Sequence, residues 1–182
     1  RPLPQGEVFF EDVRVPGRNL VIPPAMYAMG LELTLCTANG FMGSTFVGVG
    51  RAALEHAVQY AKERIQGGLP IIRHQAVKLR LFEMFRKVEA ARSLNRRAVA
   101  YNMVNNPFAG APAGAFPAVQ YAIASKVTST QTAFEVASDA LQIFGGNGLS
   151  REYPVEKLLR DARASMIEDG CNEVLGLIAA TK

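Results

Sequence analysis

Three long helical patterns, cut apart by glycine and proline, decide what this chain can fold into. The first spans about residues 25–66, the second about 71–104 and the third about 118–144. In the second, Val77, Leu81, Phe85 and Val88 recur at i+4 and i+3 spacing, and Leu94, Ala98 and Tyr101 continue a similar stripe. Gly67-Gly68 stops the first run and Pro70 is placed to start the next. The stretch NNPFAGAPAGAFP at 105–117 cannot continue a helix and reads as a surface loop. GGNG at 145–148 caps the third run, glycine tolerating a left-handed cap. Behind Pro154 a fourth helix over about 154–167 buries Val155, Leu158, Leu159 and Ala162. Glu168-Asp169-Gly170-Cys171-Asn172 interrupts it, and Asn172 is placed to cap a short last helix. The expected fold is all-α, an antiparallel four- to five-helix bundle.

The first 24 residues are different. Phe9, Phe10, Val13 and Val15 favour a strand, Pro16-Gly17 ends it, and Pro23-Pro24 marks a boundary. A lone strand is not stable by itself. Residues 1–24 are therefore read as the end of a β-domain with its linker, and residues 25–182 as the helical domain. On this reading the chain, which begins with Arg1, is a fragment. Glycines 40, 43, 48 and 50 inside the first helical run each cost roughly 1 kcal/mol against alanine. Either that helix is split, or the glycines admit a close backbone or a flat ligand.

Composition narrows the function classes. The net charge of +4 reflects Lys78, Arg80, Arg86, Lys87, Arg92, Arg96 and Arg97, but Glu83 and Glu89 interleave with them. That is a solvated helix face more than a nucleic-acid surface. Cys36 and Cys171 lie far apart and fit no CxxC pattern, and two histidines make a His-rich metal site improbable. No run of 18 uninterrupted apolar residues argues for a membrane span, and RPLPQGE resembles neither a signal nor a transit peptide.

Local chemistry leaves alternatives open. GGNG lacks the preceding strand of a dinucleotide fingerprint and by itself is a cap. His74 by itself is a surface or packing residue. In EDGCN two carboxylates sit at a helix break. One of them could project into a cleft, where burial would raise its pKa toward that of a neutral-pH base. A solvated Asp-Gly turn is the plainer reading.

Several separated segments resemble the C-terminal helical domain of the acyl-CoA dehydrogenase superfamily: FFEDVRVP at 9–16, YAKER at 60–64 with Gln66, PIIRHQ at 70–75 and QIFGGNGLSREYPVEKLLRDAR at 142–163. The resemblance implies an FAD-dependent oxidoreductase that takes a proton from the α-carbon of an acyl-CoA and passes hydride from the β-carbon to the flavin. It implies FAD contacts from Arg64, Gln66, His74, Gln75, Gln142, Ile143, Phe144, Gly145 and Gly146. Gly170, Cys171, Asn172 and Glu173 would line the flavin side, and no metal is implied. It further implies a homodimer or homotetramer in which one helical domain covers its neighbour's FAD, and re-oxidation by an electron-transfer flavoprotein. The implied compartment is the bacterial cytoplasm or the mitochondrial matrix.

The sequence departs from the family pattern where the base belongs. The usual Glu-Gly-Thr is here Asp169-Gly170-Cys171, which draws the carboxylate back by about 1.3 Å. Members that carry the glutamate on an earlier helix have it near Ala38-Asn39, which offers none. An arginine common seven positions after the base is Gly176, and Glu168 stands where an aromatic residue is common. Three readings follow. Asp169 is the base of a dehydrogenase for an unusual, bulky or cyclic, acyl group; or the protein is similar to nitroalkane oxidase, which uses aspartate here; or the domain is an inactive structural or regulatory homologue. The isolated piece is expected to fold and associate, to bind FAD weakly and not to turn over.

Overall fold

The computed structural model describes residues 6–181; residues 1–5, the whole RPLPQ start, and residue 182 lie outside the described residues. Five α-helices carry the fold: α1 Tyr27–Glu63, α2 Gln75–Val104, α3 Val119–Phe144, α4 Val155–Ser165 and α5 Asn172–Ala180. This is the all-α bundle expected.

Helix α1 is not split. It runs unbroken for 37 residues, and three of its glycines, Gly40, Gly43 and Gly50, serve close approach. A Cβ on Gly50 would lie 3.5 Å from the Ala133 Cα of α3, and one on Gly43 would meet Ser125 Oγ and Asn95 Nδ2. Gly40 faces Val99 of α2, and Gly50 also faces Val88. As residue numbers rise along α1 they fall along α2 and rise along α3. Consecutive helices are antiparallel, and α1 and α3 therefore lie side by side in parallel. By length and composition α1 is apolar enough to cross a bilayer, so the absence of an uninterrupted apolar run does not exclude it. In this fold its small-residue face is covered by α3.

The core has two parts. Phe46, Ala53, Ala57, Met84, Val88, Val136, Phe144, Val155 and Ala162 fill one end of the bundle. Cys36, Val119, Ala122, Ile123 and Leu175 fill a smaller cluster at the other. Among the described residues neither Cys36 nor Cys171 forms a disulfide. The basic face of α2 is partly neutralised in place: Arg86 pairs with Glu83 at 2.6 Å, Arg92 with Glu89 at 3.0 Å and Lys87 with Glu135 at 2.7 Å. These exposed pairs each contribute at most about 1 kcal/mol.

Two expectations need correction, about Pro70 and Asn172. The segment around Phe9–Val15, read as part of a sheet outside this chain, forms no ladder among the described residues; Phe9 and Phe10 are exposed. A strand needs a ladder partner, and the described residues provide none to it. Between α1 and α2 the chain does form a small hairpin, β1 Ile65–Gln66 against β2 Leu69–Pro70, with Ile65 opposite Pro70. Gly67 and Gly68, both at positive φ (61° and 80°), make its two-residue turn, the backbone that a tight hairpin of matching twist requires. Pro70 therefore closes a hairpin, and a 3₁₀ turn over Ile71–Arg73 precedes α2. Finally, Asn172 does not cap α5. Cys171 holds the N-cap position with no side-chain bond, because the Asn172 amide is turned into the core, as described next.

Candidate functional site

The hairpin brings the end of α1, the start of α2 and the end of α3 together around one cleft of about 650 Å³. Arg64 leaves α1 in extended conformation and its carbonyl accepts from the Ile71 N–H at 2.8 Å. His74 is held at the other side of the hairpin by a 3.0 Å contact between its Nε2 and the Gln66 carbonyl. Across from them α3 ends in Gln142, Ile143 and Phe144, and the chain turns at Gly145, where φ is 60° and ψ −139°. Only glycine adopts that conformation easily. A Cβ on Gly145 or Gly146 would meet nothing within 4 Å, so the backbone there is bare toward open space.

Of the nine residues between positions 64 and 146 expected to contact FAD, eight line this cleft: Arg64, Gln66, His74 and Gln142 to Gly146. Gln75 does not; it is the exposed first residue of α2. The sequence reading missed Tyr60, Arg80 and Asn147. Tyr60 stacks on Phe144 with ring centroids 4.1 Å apart, and its hydroxyl accepts from Asn147 Nδ2 at 3.0 Å. It lies four residues before Arg64, on the same helix face, and that spacing was the available signal. Arg80 adds a cation, tethered to Asp139 at 2.6 Å. Two guanidinium groups, amide donors, an imidazole and bare glycine backbone form a donor set that suits a dianionic pyrophosphate. The residues present thus fit the group that the resemblance implies.

The carboxylate turn is elsewhere. Lys126, beneath it, and Gln142, at the cleft, are sixteen positions apart on α3, about 24 Å. Residues 166–172 close on themselves through a 3.0 Å bond from the Asn172 N–H to the Met166 carbonyl. Asp169 and Gly170 both have positive φ, 54° and 88°. That is free for a glycine, and aspartate tolerates it better than most other residues. Asp169 is exposed on this chain and Glu168 half-buried. Burial pushes the Glu168 carboxyl up, against the pull of Lys126. The pKa-raising burial foreseen for the break therefore falls on Glu168.

Below the turn, Lys126 is fully buried. Its ammonium donates to the Gly170 carbonyl at 2.8 Å and to Asn172 Oδ1 at 3.0 Å. Asn172 Nδ2 donates to Thr130 Oγ1 at 3.0 Å. Gly170, Cys171, Asn172 and Glu173 thus follow Asp169 through the turn into α5 and do not line the cleft at Arg64 and Gln142. Lys126 went unnoticed in the sequence, although it stands in the interior stripe Ala122, Ser125 and Ser129, where a lysine is out of place.

Residues 39–182 match the family profile "Acyl-CoA dehydrogenase, C-terminal domain". The chain belongs to the acyl-CoA dehydrogenase family. It is 36% identical over 171 residues to the short-chain specific acyl-CoA dehydrogenase of Megasphaera elsdenii, covering 92% of this chain and 41% of that protein. Against cyclohex-1-ene-1-carbonyl-CoA dehydrogenase of Syntrophus aciditrophicus it is 34% identical over 181 residues, covering 98% and 41%. The solved structure of butyryl-CoA dehydrogenase from Megasphaera elsdenii superposes with a TM-score of 0.82 at 32% identity, covering 94% of this chain and 42% of that one. The chain spans about two fifths of the length of the curated relatives it matches.

Proposed function

We propose that this chain is the C-terminal helical part of an FAD-dependent acyl-CoA dehydrogenase in which Asp169 abstracts the α-proton of the thioester. The observation that carries the reading is the gathering of Arg64, Gln66, His74 and Gln142–Gly146 around one cleft. Arg64 offers a planar fork to the pyrophosphate, and Gln142 with the bare Gly145-Gly146 backbone takes the adenosine half. When bound, FAD supplies the two-electron acceptor chemistry of the reaction. Gly170 to Glu173 face its flavin end and hold Asp169 toward the substrate. The separation of about 24 Å between cleft and turn supports an assembly in which the cleft of one copy and the turn of another address one cofactor. On this reading the contact between copies lies on the helical domain, as a dimer or a dimer of dimers. An electron-transfer flavoprotein is the proposed oxidant. The substrate is an acyl-CoA, with cyclic acyl groups included because one relative is named for such a substrate. The 182 residues by themselves bind FAD weakly and do not turn over, and the working compartment is the bacterial cytoplasm or the mitochondrial matrix.

The test is anaerobic flavin bleaching in the full-length dehydrogenase that carries this chain. The panel holds straight, branched and cyclic acyl-CoA thioesters, with nitroalkanes beside them. Bleaching by a thioester that Asp169→Asn abolishes and Glu168→Gln preserves supports the reading. Bleaching by nitroalkanes alone, loss with Glu168→Gln in place of Asp169→Asn, or no bleaching with any substrate overturns it.

A further inference from the structure

The fully buried lysine under the carboxylate turn has no place in the chemistry above. Its surroundings on α3 are small or apolar: Ala122, Ile123 and Ser125 are all buried. A side chain there for packing alone would be apolar, and an ammonium without partners would be strongly disfavoured. Both hydrogen bonds that its Nζ makes cross to the turn, to Gly170 and Asn172, 44 and 46 positions later in the chain. Its charge is faced by Asp169, Glu168 and Cys171 from the turn and by Glu173 from the first turn of α5. Burial pushes the Lys126 pKa down, and those groups oppose that shift.

From this geometry we infer that Lys126 is a positioning residue: by holding the Gly170 carbonyl and the Asn172 side chain it fixes the backbone that aims the Asp169 carboxylate. The inference rests on Asp169 being the base. Gly170 follows Asp169 directly, so clamping its carbonyl sets the peptide plane next to the Asp169 Cα. Asp169 sits at φ 54°, left-handed backbone that is uncommon for non-glycine residues and that aspartate tolerates better than most. Aspartate has only two side-chain torsions, so its carboxylate follows the backbone more closely than a glutamate would. A base one methylene short leaves little room for a mobile turn, because a misplacement near 1 Å costs on the order of a hundredfold in rate.

The test uses Lys126→Met, Lys126→Gln and Asp169→Asn in the full-length enzyme. Three quantities are read: amide hydrogen exchange of residues 168–173, exchange of the substrate α-hydrogen with D2O, and kcat against KM. Lys126→Met is expected to lose protection in the turn, with α3 otherwise protected. It should slow α-hydrogen exchange and kcat by roughly tenfold to a hundredfold while KM stays within about twofold. Lys126→Gln keeps an amide donor for the Gly170 carbonyl and is expected to recover part of both losses. It carries the test if Lys126→Met does not fold. Unchanged protection of 168–173, or lost protection with unchanged α-hydrogen exchange, overturns the inference, as does a KM that rises in step with the fall in kcat/KM. If Asp169→Asn leaves α-hydrogen exchange intact, the base assignment fails; turn protection then still decides whether Lys126 clamps the turn.

Discussion

Two glycines five positions apart on α1 should respond in opposite directions to the same substitution. Gly48 is exposed and a Cβ there meets nothing within 4 Å. Gly48→Ala should therefore gain the helix-propensity difference, about 1 kcal/mol. Gly43 is buried against α3, where a Cβ would lie 2.5 Å from Asn95 Nδ2 and 2.6 Å from Ser125 Oγ. Neither atom is free to retreat. Asn95 Nδ2 donates to Ser125 Oγ at 2.8 Å and to the Gly40 carbonyl at 3.1 Å, while Asn95 Oδ1 accepts from Ser44 Oγ at 2.8 Å. Alanine must push apart a buried hydrogen-bonded network or push the two helices apart. Overpacking costs about 1–3 kcal/mol and a stranded buried polar group about another 1–3 kcal/mol. Against the propensity gain the net loss for Gly43→Ala is about 3 kcal/mol. Urea unfolding followed by circular dichroism, with the slope checked for constancy, measures both. Gly43→Ala as stable as the parent, or Gly48→Ala as damaging as Gly43→Ala, refutes the claim that close approach of α3 is what the glycines are for.

Glu168→Gln tests the half-buried carboxyl of the turn. Its folded pKa is raised above the ordinary 4.5, so the folded state holds the proton more tightly than the unfolded one. The parent should then lose stability relative to the variant as pH rises from about 4.5 through the raised folded value, with no such change below it; thermal unfolding against pH reads this, and parallel curves contradict it. Tyr60→Phe keeps the stack on Phe144 but removes the acceptor for Asn147, and should cost about 1 kcal/mol in urea unfolding. Tyr60→Ala also empties the floor of the cleft and should cost about 3–5 kcal/mol. Asp139→Asn releases Arg80 from an exposed pair; stability should move by less than about 1 kcal/mol, while FAD retention in the full-length enzyme, read by flavin absorbance after gel filtration, should not fall.

Much of this protein was legible from its residues in order. Glycine and proline punctuation located the five helices, since the breakers act on the backbone locally. The segments YAKER, PIIRHQ and QIFGGNG identified the family, and with it eight residues that the fold does bring into one cleft. What linear order could not supply was whatever depends on partners far away in the chain. The glycines of α1 looked like possible breaks; only the position of α3 shows that Gly43 and Gly50 are contact points. Phe9 to Val15 have strand propensity, but a strand exists only with a ladder partner, and none is present among the described residues. Asn172 has the side chain of a helix cap, yet Lys126 and Thr130 draw it inward. Which of two adjacent carboxyls is buried, and that a lysine 43 positions before Asp169 supports the turn, are facts about distances across the bundle. Propensity and punctuation are short-range and are written in the sequence. Burial and charge pairing are set by what folds on top, and only the packed helices decide them.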